Sequence, residues 1–102
     1  MRIITEGTLR VYAARHPRAA TGLETWRRIM RKESFDHFAD LRRYFRSADQ
    51  VRAASDKPVV VFNICGNSYR LICAIHYNTG KVFLLRFLTH AEYDKDRWKD
   101  EL

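Results

Sequence analysis

Between Pro58 and Leu88 the chain is dominated by three runs rich in β-branched and aromatic residues, VVVFNIC, SYRLICAIHY and KVFLLRFL, separated only by Gly66-Asn67 and Asn78-Thr79-Gly80. Side chains that branch at Cβ or carry flat rings fit a pleated surface, and glycine and asparagine reverse a chain in few residues. Breaks this short leave no room for a crossover helix, so the strands form an antiparallel meander. Register then follows. A two-residue turn with Gly66 at its first central position sets Cys65 opposite Ser68, Ile64 opposite Tyr69 and Asn63 opposite Arg70. A three-residue Asn78-Thr79-Gly80 loop with Gly80 left-handed sets Ile72 opposite Arg86, placing Arg86 diagonal to Arg70 on one face. A two-residue loop there would send Arg86 to the other face.

Helices are expected ahead of the meander. RIIT, residues 2–5, reads as a short strand, after which Leu9, Tyr12, Ala13 and His16 recur at helical spacing as far as Pro17. Thr21 and Glu24 have the spacing of a capping box for a second helix, whose apolar face is Leu23, Trp26, Ile29 and Met30 and whose opposite face is Arg27, Arg28, Arg31 and Lys32. Ser34 is the expected cap of a third, with Phe35, Phe38, Leu41, Tyr44 and Phe45 inward and Arg42 and Arg43 outward. Residues 46–57 lack periodicity and read as a loop. Past the meander, Thr89 and Glu92 again have capping-box spacing, so a short C-terminal helix begins at His90 and places His90 and Tyr93 on one side. The expected fold is α+β, one domain over residues 1–102, with the antiparallel sheet covered on one face by the N-terminal helices and RIIT joining an edge.

A chain of 102 residues can close one core but not two. With 46% hydrophobic residues it is a folding chain, which argues against disorder. Its net charge of +7, from 19 Lys and Arg against 12 Asp and Glu, selects polyanions such as nucleic acid or an acidic protein as partners. No secretory signal and no apolar run of spanning length is visible, so the cytoplasm is the expected compartment and a membrane is not an expected partner.

The polar residues of the meander call for an explanation, because Asn63, Tyr69 and Arg70 interrupt an otherwise apolar stretch around the Gly66-Asn67 break. A phosphate would supply one. Cutting RNA without a metal requires a base for the 2′-hydroxyl proton, cations for the pentavalent phosphorane and an acid for the departing 5′-oxygen. Arg70 and Arg86 would be the cations, since a planar guanidinium binds phosphate oxygens in a bidentate way. His90 is the candidate proton carrier, and Tyr93 could orient the nucleophile or stack on a base. Asn63, Asn67 and Tyr69 beside the turn are candidates for contacting RNA, as is the Arg27, Arg28, Arg31, Lys32 face.

The helices followed by GNSYRL, LLRFLTHAEYD and a trailing Trp98 resemble the HigB family of bacterial toxins, within the RelE-like ribonuclease superfamily. The similarity runs from RIIT to Trp98; VFNICGNSYRL and THAEYD are its specific blocks, and the N-terminal half matches mainly in pattern. The resemblance implies a ribosome-dependent mRNA endonuclease that needs no metal or other cofactor and is inhibited by a HigA-like antitoxin. By position, Arg70 corresponds to the superfamily's strand arginine, Arg86 to its last-strand arginine and Tyr93 to its C-terminal tyrosine. The chain departs from the pattern at Val61 and Asn63, where well-known RelE-like enzymes carry lysines, and His90 is the replacement candidate for the base.

Plainer explanations exist for each residue. Arg70 could be tied to Asp56 or Asp94, His90 could merely open a helix, Tyr93 could be core, Asn63 could satisfy the turn, and the Arg27 face could be ordinary solvated surface. The competing function is a basic module that binds RNA or a ribosome without cutting. Metal and thiol chemistry find no support: Cys73 and His76 alternate to opposite faces of one strand, and Cys65 and Cys73 are set too far apart for a disulfide. His16 and His37 have no evident ligand partners and are expected on helix surfaces.

Overall fold

A computed structural model describes all 102 residues. Five strands, β1 (Arg2–Ile4), β2 (Asp49–Arg52), β3 (Pro58–Ile64), β4 (Tyr69–His76) and β5 (Lys81–Thr89), form one sheet in the order β1-β5-β4-β3-β2. β1 runs parallel to β5 and every other neighbour pair is antiparallel. Helices α1 (Thr8–Arg15), α2 (Ala20–Lys32) and α3 (Phe38–Arg42) precede the meander, and α4 (His90–Asp94) and α5 (Arg97–Glu101) follow it. The fold is α+β, and no helix is long and apolar enough to cross a membrane.

Alternation along β3 explains its unbroken valine run. Val60, Phe62 and Ile64 point into the larger core with Leu9, Tyr12, Leu23, Trp26 and Met30 of the N-terminal helices. Val59 and Val61 point the other way, where Ile72 and Trp98 form a second cluster flanked by Val51, Leu85, Leu88 and Tyr93. A strand buried on both faces needs apolar residues at every position. The N-terminal helices therefore cover one face as expected, while the C-terminal segment covers part of the other.

Several local expectations are corrected. α2 begins at Ala20, running directly out of a 3-10 turn at Pro17–Ala19, so Thr21 lies inside the helix and Glu24 pairs with Arg27 instead of closing a capping box. α3 starts four residues after Ser34, because the Asp40 carboxylate accepts the Asp36 N–H and His37 stays extended. Phe35 is nevertheless buried, at the expected inward position. Residues 46–57 are not all loop: β2 lies within them. It is an edge strand with a single half-buried apolar residue, Val51, so its pairing with β3 carries no hydrophobic signature in the sequence.

At the β3–β4 turn the register is as expected, with Ile64 opposite Tyr69 and Asn63 opposite Arg70. Gly66 has φ 64° and the Ser68 N–H donates to the Cys65 carbonyl at 3.2 Å, as a turn with glycine at its first central position requires. Between β4 and β5 the connection is longer than expected, since His76 pairs with Lys81 across four residues. A bulge at Leu85 then absorbs one residue, and Ile72 still pairs with Arg86. Arg86 thus reaches the expected face by two compensating irregularities.

Candidate active site

At one end of the sheet the β3–β4 turn and the start of α4 come together. The His90 N–H donates to the Ser68 carbonyl at 3.0 Å, which ties the helix start to the turn. The start itself is fixed by a full capping box: the Thr89 side chain accepts from the Glu92 N–H at 3.2 Å, and the Glu92 carboxylate accepts from the Thr89 N–H at 2.9 Å. Trp98 in turn anchors Tyr93, stacking on its ring at 5.3 Å and donating its Nε1–H to the Tyr93 carbonyl at 3.1 Å.

Arg70 is the centre of this arrangement. Its Nη1 donates to the Asn67 carbonyl at 3.0 Å and to the Tyr69 carbonyl at 3.1 Å, and its guanidinium lies 5.5 Å from the centroid of the Tyr93 ring. Neither carboxylate named as a possible partner takes it: Asp56 is 3.3 Å from Arg52, and Asp94 is 3.3 Å from His90. Its Nε and Nη2 donors have no acceptor in the protein. Asn63, paired with Arg70 in the sheet, donates from Nδ2 to Asn67 Oδ1 at 3.4 Å, so both amides lie within this group.

His90 is exposed, with Nδ1 3.3 Å from Asp94 Oδ2 one helical turn on. Burial raises the Tyr93 phenol above its ordinary value; the Asp49 carboxylate adds to that and Arg70 opposes it. Asp49 was not anticipated. It pairs with Val61, and Val51 two residues on packs in the Trp98 cluster, so Asp49 shares the sheet face of Arg70 and Tyr93. The only sequence signal for it would have been recognition of an edge strand in a polar segment.

Other candidates sit elsewhere. Arg86 shares the face of Arg70 but is turned to the C-terminal segment, with Nη1 donating to the Leu85 carbonyl at 2.8 Å and Nη2 4.0 Å from Glu101. It also lines a depression of about 380 Å³ along β5, between Arg15 and Glu92, that Arg70 does not reach. Tyr69 points to the opposite face, stacked on Phe87 at 5.3 Å. His16 is not a surface helix residue: it follows α1 and packs on Tyr69 at 5.1 Å and Phe87 at 5.7 Å. His37 is exposed beside Asp40. Arg27, Arg28 and Arg31 converge on Glu6 and Glu24, with contacts from 2.6 to 3.7 Å, which leaves only Lys32 of that face without an ion pair.

Cys65 is exposed at the turn, and Cys73 is fully buried, which pushes its thiol well above its ordinary value. No group of three or more histidine, cysteine or acidic side chains is placed to hold a metal ion. The chemistry the Arg70 group offers is hydrogen bonding and charge: a guanidinium with two free donors, a phenol with the Asp49 carboxylate acting on it, and two amides, while the exposed His90 imidazole at the start of α4 has its contact with Asp94. Such a set can bind a phosphodiester and move protons beside it.

The sequence profile described as HigB_toxin, RelE-like toxic component of a toxin–antitoxin system, matches residues 19–96. The chain is 30% identical over 94 residues to the "mRNA interferase toxin HigB" of Escherichia coli strain K12, covering 92% of this chain and 88% of that protein. The "mRNA interferase HigB" of Shigella flexneri gives the same figures. That of Escherichia coli O6:H1 is 26% identical over 95 residues, 93% of this chain and 90% of its own. With a meander, a capped C-terminal helix and a profile match over most of its length, the chain belongs to the HigB family of RelE-like toxins, the toxic components of toxin–antitoxin systems.

Proposed function

We propose that the protein is a cytoplasmic mRNA endonuclease that cuts message on the ribosome without a metal ion and is silenced by a HigA-like antitoxin. The observation that carries this reading is Arg70: a guanidinium held in place through one nitrogen, with the other two free and no carboxylate beside it. That is the donor edge a phosphate would occupy in a bidentate contact.

In the proposed reaction the ribose 2′-oxygen attacks the adjacent phosphorus as the bond from phosphorus to the 5′-oxygen breaks, leaving a 2′,3′-cyclic phosphate. Arg70 stabilises the phosphorane through its free donors. Arg86 adds a second cation on that face; its 4.0 Å contact with Glu101 is between exposed groups and easily exchanged for an RNA phosphate. Asp94 lies beside Nδ1 of His90, so Nε2 is the ring nitrogen assigned to exchange a proton with the RNA. The Tyr93 phenol, raised by burial, stays neutral and can donate a hydrogen bond. Asn63 and Asn67 hold the strand. Of the remaining RNA-binding candidates, the ion-paired Arg27, Arg28 and Arg31 and the inward-packed Tyr69 take lesser parts.

The test is induction in a bacterium, with growth and mRNA 5′ ends compared among the unmodified chain, Arg70→Ala and His90→Ala. Each substitution should lower cleavage about a hundredfold, the usual scale for a transition-state contact or proton carrier. Undiminished toxicity in both variants would sink the reading. A graded loss that follows total charge, whichever arginine is removed, would favour the non-catalytic basic module instead.

A further inference from the structure

A cluster of unpaired arginines lies beyond α2. Arg42, Arg43 and Arg46, at and beyond the end of α3, are all exposed and none has a carboxylate within ion-pairing distance, whereas Arg27, Arg28 and Arg31 are all paired. Two depressions meet there. One, of about 380 Å³, is lined by Ala39, Arg42, Arg43 and Arg46; the other, of about 420 Å³, is lined by residues 43–48 with Phe62 and Asn63. They share Arg43 and Arg46, and the second ends at the residue paired with Arg70.

Tyr44 lies in the same segment. It is 49% exposed, although its hydroxyl donates to the Glu33 carboxylate at 3.2 Å and its ring meets Phe35 edge-on at 5.6 Å. A large aromatic held at two points and still half open to solvent is a ready stacking surface. Interleaved arginines and an aromatic along a groove form the combination that grips a single strand, through phosphates on the cations and a base on the ring.

We propose that this arginine groove is a track for single-stranded RNA leading to Arg70, with phosphates on Arg43 and Arg46 and a base on Tyr44. The inference rests on the endonuclease reading in taking that RNA to be continuous with the strand cut at Arg70.

The test is fluorescence anisotropy with a short 2′-O-methyl RNA, which binds but cannot be cut, titrated across a salt series. Arg43→Ala with Arg46→Ala should weaken binding about tenfold or more and flatten the salt slope by about 1.4, for two phosphates on a single strand. Tyr44→Ala should cost about tenfold, the scale of one stacked base. Arg43→Lys with Arg46→Lys should restore most of the affinity, which separates contact from misfolding. Arg10→Ala with Arg18→Ala removes the same charge from exposed positions on the N-terminal helical segment and should change binding by less than about twofold. Equal losses in the two double-alanine variants, or none in either, would overturn the track. Ribosomes with and without mRNA distinguish the sources of RNA: a loss confined to mRNA-loaded ribosomes supports the substrate strand, and an equal loss on vacant ribosomes overturns that assignment in favour of ribosomal RNA. Arg70→Ala should lower cleavage about a hundredfold yet bind the oligonucleotide; if it cut normally while the groove variants lost binding, the reaction would fall and the track would stand.

Discussion

The guanidinium of Arg70 lies 5.5 Å from the centroid of the Tyr93 ring, and that ring stacks on Trp98, so a strand cation and the C-terminal segment are held by one aromatic. The charged groups facing Tyr93 are Asp49 from β2, Arg70 from β4, and Asp94 and Asp96 from its own segment. An anion beside a phenol disfavours the phenolate and a cation favours it. Asp49→Asn should therefore lower the Tyr93 titration midpoint towards its ordinary value, and Arg70→Leu should raise it. Carbon NMR of Cζ-labelled tyrosine reads both directly. Shifts of the opposite sign would mean that Tyr93 does not lie between these two charges.

Gly22 is the point where α2 touches the β3–β4 turn. A Cβ there would lie 2.9 Å from Ile64 Cγ2 and 3.2 Å from the Cys65 backbone nitrogen, beside the turn that carries Asn67 and receives Arg70. Alanine would gain about 1 kcal/mol in helix propensity. Overpacking costs about 1–3 kcal/mol, and here the close neighbour is partly backbone, which cannot rotate away. The expected net result for Gly22→Ala is a modest loss of stability in urea, with a larger loss of cleavage because the turn is displaced. Thr25→Ala, exposed on the same helix, should stay within about 0.5 kcal/mol. A Gly22→Ala variant as stable and active as the parent would show that the turn moves freely.

The meander and its register at Asn63, Arg70 and Arg86 were legible because alternation and turn chemistry are local. Arg86 was placed correctly only because a longer turn and a bulge at Leu85 cancel, and nothing in KVFLLRFL marks the bulge. β2 was illegible for a different reason: an edge strand is held by its neighbour's backbone, so DQVR needs no apolar alternation, and Asp49 was lost with it. The Thr89 cap was read correctly and the Thr21 one was not, although the spacing is the same. The difference is context, since α2 is fed by a turn already helical at Pro17–Ala19 and begins at Ala20, so Thr21 lies within its first turn and is not its N-cap. Which arginines are free was likewise beyond the sequence, because Glu6 lies far from Arg27 and Arg31 along the chain and meets them only when α1 packs on α2.

The capping box at the start of α4 has a pH signature. The Thr89 N–H bond holds the Glu92 carboxyl below its ordinary value. A carboxylate whose folded value is depressed contributes stability that is present above the unfolded value, about 4.3, and lost as pH falls through the folded one. Glu92→Gln should therefore be less stable than the parent near neutral pH, with the two converging in acid. Thr89→Ala should cost about 1 kcal/mol at neutral pH and also lower cleavage, since the cap sets the first turn from which His90 projects. Thermal unfolding across a pH series checks the first, and a gap that widened in acid would refute it.

Trp98 is 2% exposed and belongs to the smaller cluster, with Val59, Val61 and Ile72, which the sheet separates from the larger core. Removing so large a buried side chain costs about 3–5 kcal/mol where neighbours cannot collapse into the gap. The loss falls on α4 and α5, because Trp98 alone both stacks on Tyr93 and bonds its carbonyl. Trp98→Ala should therefore speed amide exchange in residues 89–101 far more than in α2, and should depress cleavage with Arg70 itself intact. Trp98→Phe keeps the ring but not the Nε1 donor, so it should fall between the two. If exchange rose equally in α2, the two clusters would be one cooperative unit, and the C-terminal segment could not open independently of the rest.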